Sequence, residues 1–173
     1  MAELSSMQSM LRNMPQVGTI HWIGLRTAKK GSVTPVPRAM ITLDQGLVGD
    51  HFSGKPGAKR QVTLIQQEHF AVMASMLGVS EILPELFRRN IVISGINLNA
   101  MRDCQFQIGD AILEGSGPCA PCSMIEKTFG PGAYNISRGH SGITARVIKA
   151  GEIWVGCRVK FLSSNYLPTS DDE

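Results

Sequence analysis

The chain has 173 residues, of which 43% are hydrophobic and 18% are charged, and its formal net charge is +3. This length is enough for one well-buried domain and too short for two domains of ordinary size. Because the lysines and arginines are spread along the chain, the composition argues against a nucleic-acid-binding protein and favours a small anionic ligand.

The cysteines and the apolar segments indicate a compartment. Residues 1–16 lack the continuous apolar core of a secretory leader, and no apolar run approaches the roughly 20 residues of a membrane span. Four cysteines without a leader argue against a disulfide framework. We therefore expect a cytoplasmic protein that has no membrane association.

An amphipathic helix is predicted over residues 2–14, and Pro15 closes it. The apolar side chains at helical spacing are Leu4, Met7, Met10, Leu11 and Met14. We expect this N-terminal extension, residues 1–16, to pack on the domain that follows.

The next segments alternate between strands, a loop and a helix. Residues 17–25 and 36–43 contain the apolar and β-branched side chains that are typical of strands. Residues 44–54 form a glycine-rich loop with one histidine and two aspartates. Residues 61–66 predict a strand, and residues 67–77 predict a helix that a glycine ends.

The middle of the chain has shorter elements. Residues 81–89 predict a short helix or turn, and residues 90–95 predict a β-branched strand that ends at a glycine. Residues 96–99 are expected to form a loop. Residues 106–113 predict two short strands joined by a Gly-Asp turn.

The last third of the chain begins with a short helix predicted over residues 123–129, which Gly-Pro-Gly must end. A polar loop is predicted over residues 134–142. Residues 143–148 and 153–161 predict a hairpin, and residues 163–173 form a polar, acidic tail.

The pattern of elements indicates the fold class. Many short strands and few helices, without regular β-α-β alternation, predict a β-rich α+β fold, namely a β-barrel with a few peripheral helices. We place this domain at residues 17–162, between the N-terminal extension and the tail. In such a fold the loops carry the chemistry.

Two cysteines lie just before the helix predicted over residues 123–129, in the sequence Pro118-Cys119-Ala120-Pro121-Cys122. If that helix forms, the Cys122 thiol lies at its positive end, which favours the thiolate. Thiolates bind soft metals and attack sulfur. The spacing fits a single reactive thiolate and also a dithiol redox pair, whereas a zinc site would need a second pair of ligands. Cys104 and Cys157 are expected to be buried structural residues.

Several segments in this order resemble a MOSC domain, the family named for the C-terminal domain of molybdenum cofactor sulfurase. They are Gly49-Asp50-His51, Arg60 to Ile65, Arg88 to Gly95, Phe106 to Asp110, Pro118 to Cys122 and Arg138 to Gly142. The resemblance extends from about residue 17 to residue 161.

The resemblance implies a β-barrel that handles the molybdenum cofactor, or sulfur bound on a cysteine. In the cofactor-binding members a cysteine at the position of Cys122 ligates molybdenum, and those proteins reduce N-hydroxylated substrates. We therefore expect molybdopterin as the cofactor and Cys122 as the metal ligand, with Cys119 beside it. Because no iron–sulfur, flavin or nicotinamide motif is present, a separate electron-donor protein is implied.

A molybdopterin site also needs groups for a phosphate and a pterin, which are cations and hydrogen-bonding side chains. The candidate cations are Arg60, Arg88, Arg89 and Arg138, and the candidate amides are Asn90 and Asn97. The adjacent Arg88 and Arg89 are expected to point apart. His51 and His140, in polar glycine-rich loops, are candidate proton donors. His21 and His69 are expected to be structural.

Three hypotheses remain open at this point. The first is a molybdenum-dependent reductase of a small N-hydroxylated substrate, with Cys122 as the metal ligand. The second is a sulfur carrier or transferase that holds a persulfide on Cys122 without redox turnover. The third is a thiol-disulfide protein that uses Cys119 and Cys122.

Overall fold

The computed structural model describes residues 6–52 and 54–164. Its strands are β1 (Val17–Leu25), β2 (Thr34–Pro35), β3 (Arg38–Thr42), β4 (Gly46–Leu47), β5 (Val62–Gln66), β6 (Ile91–Ser94), β7 (Cys104–Ile108), β8 (Ala111–Pro118), β9 (Ile143–Lys149), β10 (Gly151–Trp154) and β11 (Arg158–Ser164). Its helices are α1 (Ser6–Leu11), α2 (Gln67–Leu77), α3 (Pro84–Phe87), α4 (Ser123–Phe129) and α5 (Ala133–Ser137), with a 3-10 turn at Leu98–Met101.

Seven strands close into a barrel in the order β1, β6, β5, β9, β8, β7, β11 and back to β1. The pair β5–β6 is parallel, because α2 and α3 lie in the connection between these strands, and the other pairs of the barrel are antiparallel. The expected β-barrel with a few peripheral helices is confirmed. The two strands predicted about the Gly-Asp turn are β7 and β8, which pair directly.

The predicted hairpin of residues 143–148 and 153–161 is wrong. The segment does form strands, but β9 pairs with β5 and β8, and β11 pairs with β7 and β1. Between them, β10 pairs with β3 in a separate small sheet with β4. Alternation of apolar residues reports which face of a strand is buried and not which strand lies beside it, so adjacency in sequence was a poor guide to pairing.

Two apolar cores lie on opposite sides of β5. Leu64 belongs to the barrel interior, whereas the next residue, Ile65, packs under the helices with Phe70 and Met73 of α2. Leu64 and Ile65 are both fully buried, as expected for a strand that is covered on both faces. The second core fixes the helices against the outside of the barrel, and Gly78 ends α2 in the left-handed conformation, as predicted.

Two regions differ from the sequence expectations. The apolar side chains of α1 are not buried, since Met7, Met10 and Leu11 are exposed, and Met14 beyond its end packs against the barrel core. The segment 134–142, predicted as a polar loop, begins within the helix α5. The sequence shows no apolar pattern for this helix, because its buried residues are the small Ala133 and Ser137.

The C-terminal strand β11 includes the first residues of the predicted tail. Ser163 and Ser164 belong to β11, and residues 165–173 of the predicted tail lie outside the described residues. Among the helices described, none is both long enough and apolar enough to cross a membrane.

Gly142, directly before β9, allows the chain to pass close to β5. Its φ is +85°, and a Cβ added there would lie 1.9 Å from the Leu64 carbonyl oxygen. We expect Gly142→Ala to lower the free energy of unfolding by about 2–3 kcal/mol, because strained backbone adds to the steric clash. Gly139→Ala is the matched control: φ is +78° and the space is open, so about 1 kcal/mol is expected. Urea denaturation measures both, and equal losses would contradict the close approach.

Candidate functional site

A pocket of about 300 Å³ opens where five parts of the chain meet. They are the end of β1, residues 50–52 with residue 54, the start of β5, the segment after α3 and the start of α4. Six of the residues predicted for the site line it: His51, Arg60, Arg88, Arg89, Asn90 and Cys122. The barrel therefore brings together segments from five separate parts of the chain.

Cys122 is the thiol of this pocket. It directly precedes α4 in an extended conformation, and its carbonyl accepts the Ile125 N–H at 3.0 Å. Its side chain is exposed, whereas Cys104, Cys119 and Cys157 are buried. Burial raises the pKa of the Cys104 and Cys157 thiols, which suits the structural role predicted for them. A reagent or ligand in the pocket thus meets Cys122.

Arg89 holds the segment that carries the two cysteines of the motif. Its guanidinium donates from Nε to the Ser141 carbonyl at 2.9 Å, from Nη1 to the Phe87 carbonyl at 2.9 Å and from Nη2 to the Ala120 carbonyl at 3.3 Å. The residue is only 5% exposed. Burial lowers the pKa of Arg89, and the three carbonyl partners compensate the buried charge. Arg89 therefore has a structural role, because it holds residues 119–122, the cysteine loop, in place.

Arg88 and Arg89 point apart, as expected. Arg88 has a positive φ of +57° at the end of α3, and this left-handed turn sends its side chain across the pocket to the Lys29 carbonyl at 2.9 Å from Nη2. Arg60, before β5, is exposed at the pocket mouth. These two arginines keep donors for a ligand.

Arg26 also lines the pocket, and the sequence analysis missed it. It follows β1 directly, which was the signal: a charged residue at the end of an apolar strand. Burial lowers the pKa of Arg26, and the nearby Arg88 lowers it further, while Asp50 opposes them. The Arg26 Nε atom is buried without a hydrogen-bond partner among the described residues. With Arg26 the walls carry four arginines and the single carboxylate of Asp50, so the pocket attracts anions.

Asn90 reaches the pocket wall, but its side chain is occupied by the fold. Its Oδ1 accepts from the Thr63 backbone N–H at 3.0 Å and from the Thr63 hydroxyl at 2.9 Å, while Nδ2 donates to the Gly24 carbonyl at 3.4 Å. Asn90 therefore links β5, β6 and β1 at the pocket. A pterin that binds the Asn90 amide, as predicted, would compete with these hydrogen bonds.

Four predicted site residues lie away from the described lining of the pocket: Asn97, Arg138, His140 and Cys119. Asn97 precedes the 3-10 turn, and its Oδ1 caps this turn by accepting the Asn99 N–H at 3.0 Å. Arg138 is exposed at the end of α5. Cys119 is buried at the start of the segment that carries both cysteines, and its N–H donates to the Gly142 carbonyl at 2.9 Å.

Comparison with known proteins identifies the family of this chain. The family model of the MOSC domain matches residues 49–160. This range includes His51, Cys122 and three of the four pocket arginines, whereas Arg26 lies before it. The chain belongs to the MOSC domain family. This family is associated with the molybdenum cofactor.

A curated relative of this MOSC domain is the molybdenum cofactor sulfurase of Drosophila grimshawi, 37% identical over 78 residues. The match covers 40% of this chain and 10% of the length of that relative.

Solved structures share the fold of this MOSC domain. The YuaD protein from Bacillus subtilis has a TM-score of 0.75 at 21% identity, covering 88% of this chain and 100% of that one. YiiM from Geobacillus stearothermophilus has a TM-score of 0.69 at 19% identity, covering 84% and 75% of the two chains. YiiM from Escherichia coli has a TM-score of 0.67 at 19% identity, covering 89% and 74%.

Outside the pocket, the MOSC domain contains a histidine pair between α2 and the segment after α5. The rings of His69 and His140 pack edge to face, with centroids 4.9 Å apart. The Nδ1 atom of each is buried, and neither has a hydrogen-bond partner within residues 6–52 and 54–164. Burial lowers the pKa of His69, and the nearby His140 lowers it further; a backbone hydrogen bond at His140 and the Glu68 carboxylate raise it by less. His140 is thus a packing residue, and the structural role expected for His69 agrees with this contact.

This pair predicts how stability depends on pH. Because the folded pKa of His69 lies below the ordinary 6.5, the unfolded chain binds the proton more readily. The contribution of His69 is therefore fully present above pH 6.5 and is lost as the pH falls through the lower folded pKa. We expect His69→Gln to flatten this decline in urea unfolding measured between roughly pH 8 and pH 5. An equally steep decline in the variant would assign it to other groups.

Proposed function

We propose that this MOSC domain binds the molybdenum cofactor in the arginine-lined pocket, with Cys122 as the thiolate ligand of molybdenum, and reduces N-hydroxylated substrates. The observation that carries the proposal is the position of one exposed thiol in a pocket with four arginines and a single carboxylate.

The donor set suits this cofactor. A soft thiolate is an appropriate ligand for a thiophilic metal, and guanidinium groups bind phosphate with directed hydrogen bonds. The buried Nε of Arg26 lacks a partner among the described residues, and a phosphate or pterin oxygen would supply one. No three His, Cys, Asp or Glu side chains of the described residues form a metal-binding group. Cys122 would therefore contribute one ligand to a metal that brings its others on the cofactor.

The proposed activity needs electrons from outside the chain. When bound, the cofactor would supply the electron transfer that reduces an N–O bond. We propose that a separate electron-donor protein reduces it, because the sequence contains no iron–sulfur, flavin or nicotinamide motif. The residues of this chain bind and orient the cofactor and the substrate: Arg60 and Arg88 through their free donors, and the apolar walls of Phe52, Phe87 and Met124 through contact with the substrate.

The experiment is to purify the protein from a host that makes the cofactor and to measure molybdenum and pterin per chain. Reduced methyl viologen then serves as the electron source and N-phenylhydroxylamine as the substrate, with aniline as the product to be quantified. We expect near-stoichiometric metal and pterin, together with aniline formation. Metal-free, pterin-free protein from a host whose other molybdenum enzymes are loaded would overturn the proposal.

A further inference from the structure

We propose that Asp50 and Arg26 fix the imidazole of His51 so that its Nε2 donates a proton to the substrate in the pocket. This inference rests on the proposed reductase function and assigns its proton donor. Asp50, His51 and Arg26, which follows β1, build the arrangement, and the contacts among these three described residues do not involve Cys122.

The backbone places His51 beside Arg26. The His51 N–H donates to the Arg26 carbonyl at 2.7 Å, and the Arg26 N–H donates to Asp50 Oδ1 at 2.8 Å. These two bonds join the loop to the end of β1. The Asp50 side chain is 8% exposed and that of His51 24% exposed, so the carboxylate is buried and the imidazole remains reachable from the pocket.

The Asp50 carboxylate lies beside the Nδ1 edge of the His51 ring. One oxygen of Asp50 is occupied by the Arg26 N–H, and the other, Oδ2, lies 3.6 Å from His51 Nδ1. A carboxylate on this side favours a proton on Nδ1. In the neutral ring Nε2 is then the bare nitrogen, and when the ring is protonated Nε2–H is the donor that the pocket can use.

Arg26 holds the face of the same ring. Its Nη2 lies 3.3 Å from His51 Nδ1 and 3.2 Å from Nε2. Cε1 lies between the two ring nitrogens, so an in-plane atom at these distances would clash with Cε1, and Nη2 must lie over the face of the ring. Nη2 therefore contacts the face of the imidazole, and it does not block the in-plane direction of Nε2 in the pocket that His51 lines.

The chemistry requires such a donor. Reduction of an N-hydroxylated amine, RNHOH, consumes two electrons and two protons, breaks the N–O bond and releases RNH2 and water. The electrons come from the external electron-donor protein, or from reduced methyl viologen in the assay. Hydroxide is a poor leaving group, so one proton must reach its oxygen as the N–O bond breaks, and this is the proton assigned to His51 Nε2. Solvent supplies the second proton, to nitrogen.

The first test is the tautomer of His51 in metal-free protein. Two-bond ¹H–¹⁵N correlation spectra distinguish Nδ1–H from Nε2–H in a neutral ring. We expect the Nδ1–H form in the wild-type protein and a shift toward Nε2–H in Asp50→Asn, with His51→Gln used to assign the signal. A predominant Nε2–H form in the wild-type protein would overturn the assignment.

The second test is the kinetics of N-phenylhydroxylamine reduction by the loaded protein. We expect His51→Gln to lower kcat roughly 100-fold and Asp50→Asn about tenfold, with KM and molybdenum content little changed, because general acid catalysis contributes this much to rate and nothing to cofactor binding. His21→Gln is the matched control: that histidine is exposed on β1 and bonded to Ser94, and the variant should keep the wild-type kcat.

The two proposals fail differently. A His51→Gln variant with wild-type kcat and wild-type metal content would remove the proton-donor role and leave the reductase intact. Absence of aniline formation by loaded wild-type protein would remove the reductase function, and the role of His51 with it.

Discussion

Cys122→Ala protein from a cofactor-competent host is expected to retain less molybdenum than the wild type by roughly tenfold or more. Cys122 is the exposed thiol of the pocket, whereas the other three cysteines are buried and cannot replace it without unfolding the segments around them. Loss of the thiolate leaves the arginines, so some pterin retention without metal is compatible with this result. Metal analysis and pterin fluorescence of the same samples measure the two separately.

Cys119→Ala is the matched control for this experiment. Cys119 is 2% exposed and does not line the pocket, so metal content and activity should survive. Loss of activity in Cys119→Ala with metal retained would favour the dithiol hypothesis. Wild-type metal content in Cys122→Ala would remove its ligand role. If neither protein contains metal, a persulfide assay on Cys122 becomes the decisive measurement for the sulfur-carrier hypothesis.

Arg89→Met is expected to have the largest effect on stability, a loss of about 3 kcal/mol in the free energy of unfolding. Methionine has a similar length, but it leaves the carbonyls of Phe87, Ala120 and Ser141 without the donor that joins them. Hydrogen bonds to a charged group contribute about 1.5–3 kcal/mol each, and removal of the desolvated charge offsets part of that loss.

Arg88→Met provides the comparison, because Arg88 is the adjacent residue with one hydrogen bond, to the Lys29 carbonyl, and partial exposure. We expect less than about 1 kcal/mol for it. Urea denaturation of metal-free proteins gives both values without the contribution of a bound cofactor. A loss for Arg89→Met no larger than for Arg88→Met would mean that water replaces the guanidinium and that its structural role is unimportant.

The sequence predicted most elements of the fold because their signals are local. The helical spacing that a glycine ends at α2, and the Gly-Asp turn between β7 and β8, both depend on residues that are neighbours in the chain. Pairing of β10 with β3 depends on residues far apart in sequence, and no local pattern contains that information. This is why the predicted C-terminal hairpin failed.

The candidate site shows the same division. The resemblance located Cys122, His51 and the arginines near β5 and β6, which the structure gathers in one pocket. It did not reveal Arg26, because an isolated arginine after a strand has no motif and acquires meaning only beside Asp50 and His51. Conversely, His140 carries a polar, glycine-rich context in the sequence and packs against His69 in the structure.

The pairing of β1 with β11 joins the first and last strands of the barrel. A ribosome releases the N-terminal strand long before the C-terminal one, so β1 and β7 must wait with open edges until residues 158–164 emerge. Such distant closure slows folding and leaves hydrogen-bonding edges exposed during synthesis. Translation arrest before β11 should therefore leave a nascent chain that chaperones bind and proteases cleave, and release of that last strand should bring protection in a single step.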